Sequence, residues 1–493
     1  MESPRKLWRT RWSSNEPADE FIVENPATGA TLAVVQGSGA AEVDAAVNAA
    51  HQAFQMDWRN RPARERGKLL LEIAQVIRAH ADEIAWLETR ENGKPFGQSR
   101  FVDVEACIGS FEFFGSLIEK LPGHCNDLGA ILSTEFLEPY GVIGGIIPFN
   151  WPPIHFAAKT APALAVGNTV VLKPGEQAPL AVMRLAELAG RVLPEDVLHV
   201  VPGTGKTGAA LVSHPLVRKL SFTGAPETGK KVLQAAANNL TPALLELGGK
   251  NPLIVFADAD VERALAAAVE GAFFNQGEAC TAASRLLVHS SLHDLFVEKM
   301  SAAVRKLRVG DGLNPATHVG PLVTKQQQHR VLDYIAIGQQ EGARIAAQAA
   351  LPTDEVLRGG FFVAPTLFTE VTPEHRIARE EIFGPVTCVL KFDSYKEAIA
   401  IANDTEFGLV AAVFTRDQQL AMRASRDLEA GIVFVNNYNR QFMGTPFGGV
   451  KASGYGREHC VQTLQEFGYT KAVRTLSGRG EPLQWPALKE LLG

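Results

Sequence analysis

The sequence predicts an α/β fold built from two doubly wound parallel-sheet domains. Three observations carry this expectation. At 493 residues the chain is too long for a single hydrophobic core. From Gly141 onward, short apolar runs alternate with stretches whose apolar residues recur at helical spacing, the pattern of parallel strands joined by helices. The alternation then restarts near Asn251 with the run Leu253-Ile254-Val255-Phe256.

Taken in order, Ala41 to Phe54 and Pro62 to Glu91 carry apolar residues at helical spacing, so the chain opens with paired helices. In the first alternating block, Thr169 to Leu172, Val197 to Val201 and Leu216 to Phe222 read as strands. Ala181 to Val192 and Thr228 to Asn239 read as the helices between and after them. In the second block a helix is expected over Val261 to Phe274, with Asp260 as its N-cap. Gly203-Thr204-Gly205-Lys206-Thr207 has the tail of a phosphate loop, but Val200 stands where the leading glycine belongs, so a turn before a helix is expected there. Neither repeats nor low-complexity stretches interrupt the chain.

Composition sets the outer limits. Hydrophobic content of 46% and charged content of 21% are ordinary for a soluble globular protein. A net charge of −6 offers no broad basic surface, which argues against a nucleic acid partner. The five cysteines, Cys107, Cys125, Cys280, Cys388 and Cys460, are scattered and without metal-ligand spacing. They point to reduced thiols, no metal and a cytoplasmic setting. No apolar run approaches the ~18 residues of a membrane span. The basic segment Met1 to Trp12 is read as a short surface strand or arm rather than a transit peptide.

Four segments carry chemistry. Phe273-Phe274-Asn275-Gln276-Gly277-Glu278-Ala279-Cys280 is a helix end, a glycine turn and a cysteine presented to a cleft, and a thiolate is the strongest side-chain nucleophile near neutral pH. Gly141-Val142-Ile143-Gly144-Gly145-Ile146-Ile147-Pro148-Phe149-Asn150-Trp151-Pro152 runs a strand into a turn bearing one amide. Leu244-Leu245-Glu246-Leu247-Gly248-Gly249-Lys250-Asn251-Pro252 sets a lone carboxylate in an apolar run, where desolvation raises its basicity. Glu380-Glu381-Ile382-Phe383-Gly384-Pro385-Val386 feeds an acidic pair into a turn. At the end of the strand Thr169 to Leu172, Lys173 and Glu176 suit the hydroxyls of an adenosine ribose, and a carboxylate there repels a 2′-phosphate. Together these segments resemble the signature set of the aldehyde dehydrogenase superfamily, in its hydrolytic, NAD(P)-dependent branch, from about Phe21 to about Lys471.

The resemblance implies a set of roles. Cys280 is the nucleophile, Glu246 the general base, and Asn150 with the Cys280 backbone N–H the oxyanion donors. Lys159 matches a lysine that carries protons away from the base, but the place of its glutamate partner falls on Tyr469, so the relay looks broken and a purely structural role for Lys159 is the alternative. NAD is the expected cofactor, with NADP possible because Lys173 tolerates a phosphate. Gly224 and Gly229, in the junction Phe222 to Gly229 that lacks the usual dinucleotide fingerprint, face the pyrophosphate. Glu381 holds the nicotinamide ribose, Phe383 packs beside the nicotinamide, Phe149 joins the cofactor set, and Glu380 is a solvated neighbour.

The substrate is expected against Trp151, Ile154, His155, Thr281, Arg440 and Phe447, with room left by Ala158. The mixture favours an aromatic or medium-chain aldehyde, while His155 and Arg440 suit hydroxyl or carboxylate groups; Arg440 has a surface or inter-subunit contact as its alternative. Glu278 stands where a glutamine is common and is expected to place a charge near the mouth. The implied layout is a cofactor domain over 1–120 and 141–248, a catalytic domain over 249–452, and a β oligomerisation arm with the C-terminal tail over 121–140 and 467–493. A homodimer or homotetramer follows. Two alternatives remain at this stage: release of the thioester to coenzyme A, and a catalytically idle structural or binding member of the family.

Overall fold

The computed structural model describes residues 7–16, 19–438, 442–482 and 484–492. Strands β1 (Leu7–Trp8), β2 (Glu20–Asn25) and β3 (Ala30–Gln36) form a small sheet in the order β1-β3-β2. The opening helices are Ala40–Met56, Ala63–Ala79 and Ala81–Asn92. The expected long second helix is thus broken at His80, whose φ of −116° and ψ of 17° leave the helical region. Leu70, Ile73, Ala74 and Ile77 are buried at the spacing of one helix face.

A hairpin of β4 (Cys125–Asp127) and β5 (Ile131–Pro139) leads to the first large sheet. Its parallel strands are β6 (Val142–Ile146), β7 (Thr169–Lys173), β8 (Leu198–Val200), β9 (Val217–Thr223) and β10 (Ala243–Glu246). They lie in the order β10-β9-β6-β7-β8. The chain winds outward from β6 to β8, then returns to the other side of β6, making a topological switch point between β6 and β9. A ligand crevice is expected at the carboxyl ends there. Every residue of β7 and β10 is buried, which is why these strands read as continuous apolar runs. The helix Pro226–Ala237 starts two residues before the sequence expectation, because Pro226 fits a first turn in which its missing N–H costs nothing. Thr204 caps the helix Gly205–Ser213, so the phosphate-loop look-alike is a turn before a helix.

The second large sheet comprises β11 (Pro252–Val255), β12 (Arg285–His289), β13 (Arg344–Gln348), β14 (Thr366–Thr369), β15 (Val386–Phe392), β16 (Val410–Phe414) and β17 (Ile432–Val435). Its order is β13-β14-β15-β12-β11-β16-β17, and only the edge strand β13 is antiparallel to its neighbour. Asp260 caps the helix Val261–Phe273 through the Arg263 N–H at 3.1 Å. The chain then revisits its earlier parts. β18 (Gly454–Tyr455) lies antiparallel beside β10, and β19 (Gly468–Leu476) pairs antiparallel with β5. Apolar clusters cover both faces of each large sheet. Among the described residues no helix is long and apolar enough to cross a membrane.

Candidate active site

The site lies where the carboxyl ends of the first large sheet meet the loops that enter the second. After β6 the chain turns through Asn150, and the helix Pro152–Val166 begins with Trp151 at its N-cap and prolines in its first turn. A spacing of four places Trp151, His155 and Lys159 on one face of this helix. Lys159 is fully buried and donates to Glu458 Oε1 at 2.5 Å. This corrects the expectation of a broken relay. Tyr469 sits exposed on β19, and the glutamate that meets Lys159 arrives instead from the Phe447–Glu458 bridge.

Glu246 ends β10 and is 2% exposed. Neither of its carboxylate oxygens has a hydrogen-bond partner among the described residues. Burial first, and then repulsion from Glu458, hold its pKa well above the usual carboxylate range, while Lys159 pulls the other way. A Cβ on Gly448 would stand 2.8 Å from Glu246 Oε1, so the glycine leaves the carboxylate its space.

The cysteine turn is built by strain. After Phe273 the backbone passes through Asn275, Gln276 and Gly277 with φ of 51°, 51° and 69°, three left-handed residues in succession. Each non-glycine residue there costs about 1–2 kcal/mol. Compensation comes from Gln98 Oε1, which accepts the Asn275 N–H at 3.0 Å, and from the Asn275 amide donating to the Asn150 and Glu278 carbonyls at 3.1 and 3.0 Å. Cys280 emerges from this turn partly exposed. Burial, then Glu381 and Glu246, push its thiol above the ordinary range, and only the N–H groups of Cys280 and Thr281 oppose them. The resting group is therefore a thiol.

Glu278 corrects a second expectation. It is fully buried rather than at the mouth, accepting from Gln276 Nε2 and the Val323 N–H, both at 3.3 Å. Burial pushes its pKa up to about 8, so it sits neutral in the turn. Asn150 is 2% exposed, and its amide nitrogen donates to the Glu278 carbonyl at 3.1 Å, which leaves a second N–H. The Asn150 carbonyl accepts from Lys94 Nζ at 2.7 Å. Lys94 is paired with Glu88 at 2.8 Å and with Asp103, and its ammonium lies 4.5 Å from the Trp151 ring centroid. Sequence reasoning gave no role to Lys94, Glu458, His459 or Phe274. The run Asn92-Gly93-Lys94-Pro95 was the available signal for the first, and Phe274 stood unassigned inside the cysteine motif.

The residues named for the cofactor lie at the carboxyl ends of the first sheet and in the loop that enters β15. Lys173 ends β7, is buried, and makes no side-chain hydrogen bond among the described residues. Burial pushes its ammonium down to about 8, with Glu176 opposing. The helix Pro226–Ala237 has no side-chain cap at Ala225; Pro226 carries no N–H and the Thr228 N–H turns back to the Ala225 carbonyl at 3.0 Å, so the Glu227 N–H and the positive end of the helix dipole are what this start offers next to Gly224. A Cβ on Gly229 would stand 2.8 Å from the Leu247 side chain, so the glycine lets the helix start rest on the first sheet. Glu381 Oε1 accepts the Gly249 N–H at 2.9 Å, and a Cβ on Gly248 would come within 2.3 Å of Oε2. Burial pushes Glu381 up to about 7. Phe383, at a left-handed φ of 61°, meets Phe149 edge-on with ring centroids 5.9 Å apart. A cleft opens among Gly249, Gly277, Ala279, Glu381, Phe383 and Gly384. A bare ammonium beside a carboxylate, an uncapped helix start and a cleft bordered by the Phe383 ring fit a dinucleotide: ribose hydroxyls, pyrophosphate and nicotinamide in turn. Glu380, expected as a solvated neighbour, is half-buried and bonds Arg376 and the Tyr334 hydroxyl.

On the opposite side, Trp151 stacks on Phe274 with centroids 5.8 Å apart, and Phe447 meets His459 at 5.7 Å. Ala158 and His155 are buried, and Ile154 is half-buried. Thr281 is buried, and its carbonyl accepts the Tyr438 hydroxyl at 2.7 Å. Arg440 lies outside the described residues.

Comparison with known proteins identifies this arrangement. The sequence profile described as the aldehyde dehydrogenase family matches residues 12–473. An aldehyde dehydrogenase of Didymella fabae is 51% identical over 482 residues, 98% of this chain and 97% of the relative. The aldehyde dehydrogenase citD of Monascus ruber is 49% identical over 486 residues, again 98% and 97% of the two chains. Among solved structures, the NAD+ complex of an aldehyde dehydrogenase from Bacillus cereus superposes with a TM-score of 0.90 at 39% identity, covering 93% of each chain.

Proposed function

The chain belongs to the aldehyde dehydrogenase family and is an NAD-dependent oxidoreductase acting on aldehydes; from that premise we propose that it converts an aromatic or medium-chain aldehyde to the carboxylic acid, with water releasing the product. One observation carries this reading: a carboxylate, Glu246, buried without a hydrogen-bond partner and within the electrostatic reach of the Lys159–Glu458 pair. Such a group is a base held in reserve.

Glu246 takes the Cys280 proton, directly or through water, and the sulfur adds to the aldehyde carbon. The Asn150 amide and the Cys280 backbone N–H receive the oxygen that gains charge. NAD, when bound, supplies the acceptor for the hydride that leaves this carbon. The carbon stays on Cys280 as a thioester. Glu246 then removes a proton from water as its oxygen attacks the thioester; the acid departs and the sulfur is released. Lys159 and Glu458 offer the accumulated proton an onward route. A coenzyme A acceptor would bring its own thiol and have no need of Glu246.

The aromatic preference rests on Trp151, Phe274 and Phe447 with the space beside Ala158. The exposed Phe136, Tyr469, Val473 and Leu476 of the β5–β19 sheet support assembly into a homodimer or homotetramer. Five free cysteines fit a reducing, cytoplasmic setting. The test is NADH formation, with acid product measured, over aliphatic and aromatic aldehydes in the absence of coenzyme A. We expect stoichiometric acid and NADH; turnover that appears only when coenzyme A is added would overturn hydrolysis.

A further inference from the structure

Two histidines beside the reacting centre take no part in the steps above. His155 lies one helical turn after Trp151 and one before Lys159, on the same helix face. His459 follows Glu458, the partner of Lys159, so the ion pair draws the two imidazoles near enough to act on each other's charge. His155 is 7% and His459 8% exposed, and neither ring makes a hydrogen bond among the described residues. His155 Nε2 and His459 Nδ1 are buried outright with no partner. An unpaired buried polar nitrogen is costly, and two together point to a ligand group that completes them.

The placement of His459 is enforced. Its φ of 61° is left-handed, and the flanking backbone is pinned by the Gly444 N–H at 2.7 Å and by the Phe447–Glu458 bridge. The Phe447 ring packs against its imidazole at 64°. Around the pair stand Trp151, Phe274 and Phe447, aromatic faces suited to a flat ring.

We propose that His155 and His459 form a polar subsite that selects aryl aldehydes carrying a ring hydroxyl. The inference deepens the hydrolytic reading above and rests on it. Charge decides between a hydroxyl and a carboxylate. Burial holds both imidazoles below the ordinary histidine range, Lys159 adding to the effect and Glu458 opposing it at His459. The two ammonium groups nearby are already engaged, Lys159 by Glu458 and Lys94 by Glu88 and Asp103. No free cation is left among the described groups around the pair to balance a carboxylate, and Glu246 and Glu458 would repel one. A neutral imidazole can donate from one nitrogen and accept at the other, which matches a hydroxyl.

The experiment compares kcat/KM for benzaldehyde and for 2-, 3- and 4-hydroxybenzaldehyde, in the wild type and in His155→Leu, His459→Leu and His155→Gln. The wild type should prefer at least one hydroxylated ring over benzaldehyde by about tenfold or more, since a site built to bond a hydroxyl penalises the analogue that lacks it. Either leucine variant should bring that ratio towards one. His155→Gln, which keeps a donor and an acceptor, should retain part of the preference, a result that general damage to the fold would not give. Equal rates on all four aldehydes, or a preference that survives both leucine variants, would overturn the subsite and leave the hydrolytic reading standing. Silence on every aldehyde without coenzyme A would overturn the underlying reading instead.

Discussion

The two large sheets reach the cleft with opposite ends. The first presents carboxyl ends: β6 runs on to Asn150, β7 ends at Lys173, β9 leads to Gly224 and β10 ends at Glu246. The second presents amino ends: Asn251 stands just before β11, Cys280 shortly before β12, and Glu381 shortly before β15. The electrostatic consequence is direct. Helices that follow the first sheet start at the cleft and turn the positive ends of their dipoles towards an anion. The helix Val261–Phe273 instead arrives with its negative end, and the chain must reverse through left-handed residues to present Cys280. Cysteines at helix starts ionise early; this one has its thiol pushed up. On the proposed roles the first sheet supplies most of the binding groups and the second the nucleophile, while Asn150 and Glu246 of the first serve the attack and Glu381 of the second serves the cofactor.

The largest test of that division is Cys280→Ala. Turnover should fall by about 10⁴-fold or more, as for loss of a covalent nucleophile. Affinity for NAD, read by protein fluorescence, should stay within about twofold. A parallel loss of NAD binding would show that the two sheets do not divide the work. Glu246→Gln comes next, with a drop of about 10²–10⁴-fold in kcat and acid release slowed more than hydride transfer in a stopped-flow trace. Stability should not fall, because the change removes a buried carboxylate that has no partner. The pH dependence follows from the raised pKa of Glu246. The base is protonated as pH falls through that value, so kcat should rise with pH beyond the ordinary carboxylate range and lose this limb in the variant. A full-size NADH burst followed by wild-type turnover would remove Glu246 from the mechanism.

Lys173→Met probes the binding side alone. It should weaken NAD by about tenfold while leaving kcat at saturating cofactor nearly unchanged. In the wild type, NAD affinity should decline as pH rises through about 8, where the Lys173 ammonium is lost. A fall in kcat equal to the loss of affinity would place Lys173 in the chemistry.

How much of this was legible beforehand varied with the physics. The strands were, because both faces of β7 and β10 are buried and leave continuous apolar runs. Roles for Cys280, Glu246 and Asn150 could be proposed because each lies in a compact motif that carries the family resemblance. The facing of the sheets could not, since strands and helices alternate identically whichever end meets the cleft. Glu458 lies 299 residues from Lys159 and is delivered by a bridge no local pattern announces. Counting along the motif gave Tyr469 instead. Glu278 misled for a related reason: composition records its charge, while only the packed turn reveals that the carboxyl is buried and neutral.

Glu278 also supplies the mildest prediction. Its folded pKa, about 8, lies far above that of a carboxyl in an unfolded chain, ~4.3. Between those values the folded state holds a proton that the unfolded state has released. The stability this group contributes is therefore full below pH ~4 and is lost as pH rises through its folded pKa. Glu278→Gln removes the titration and keeps the shape. The Val323 N–H still meets an oxygen, and Gln276, whose Oε1 is buried without a partner, can turn its amide to accept from the new NH₂, giving up its 3.3 Å contact to Asn92 Oδ1. Denaturation curves should nearly coincide at about pH 4, and the variant should be ahead by a few kcal/mol at pH 9. Turnover at pH 7 should stay close to wild type, since the carboxyl is already neutral beside Cys280. Parallel stability curves across that range would mean that Glu278 is ionised in the turn. The thiol would then face a third carboxylate besides Glu246 and Glu381, and the attacking side would depend on its base still more.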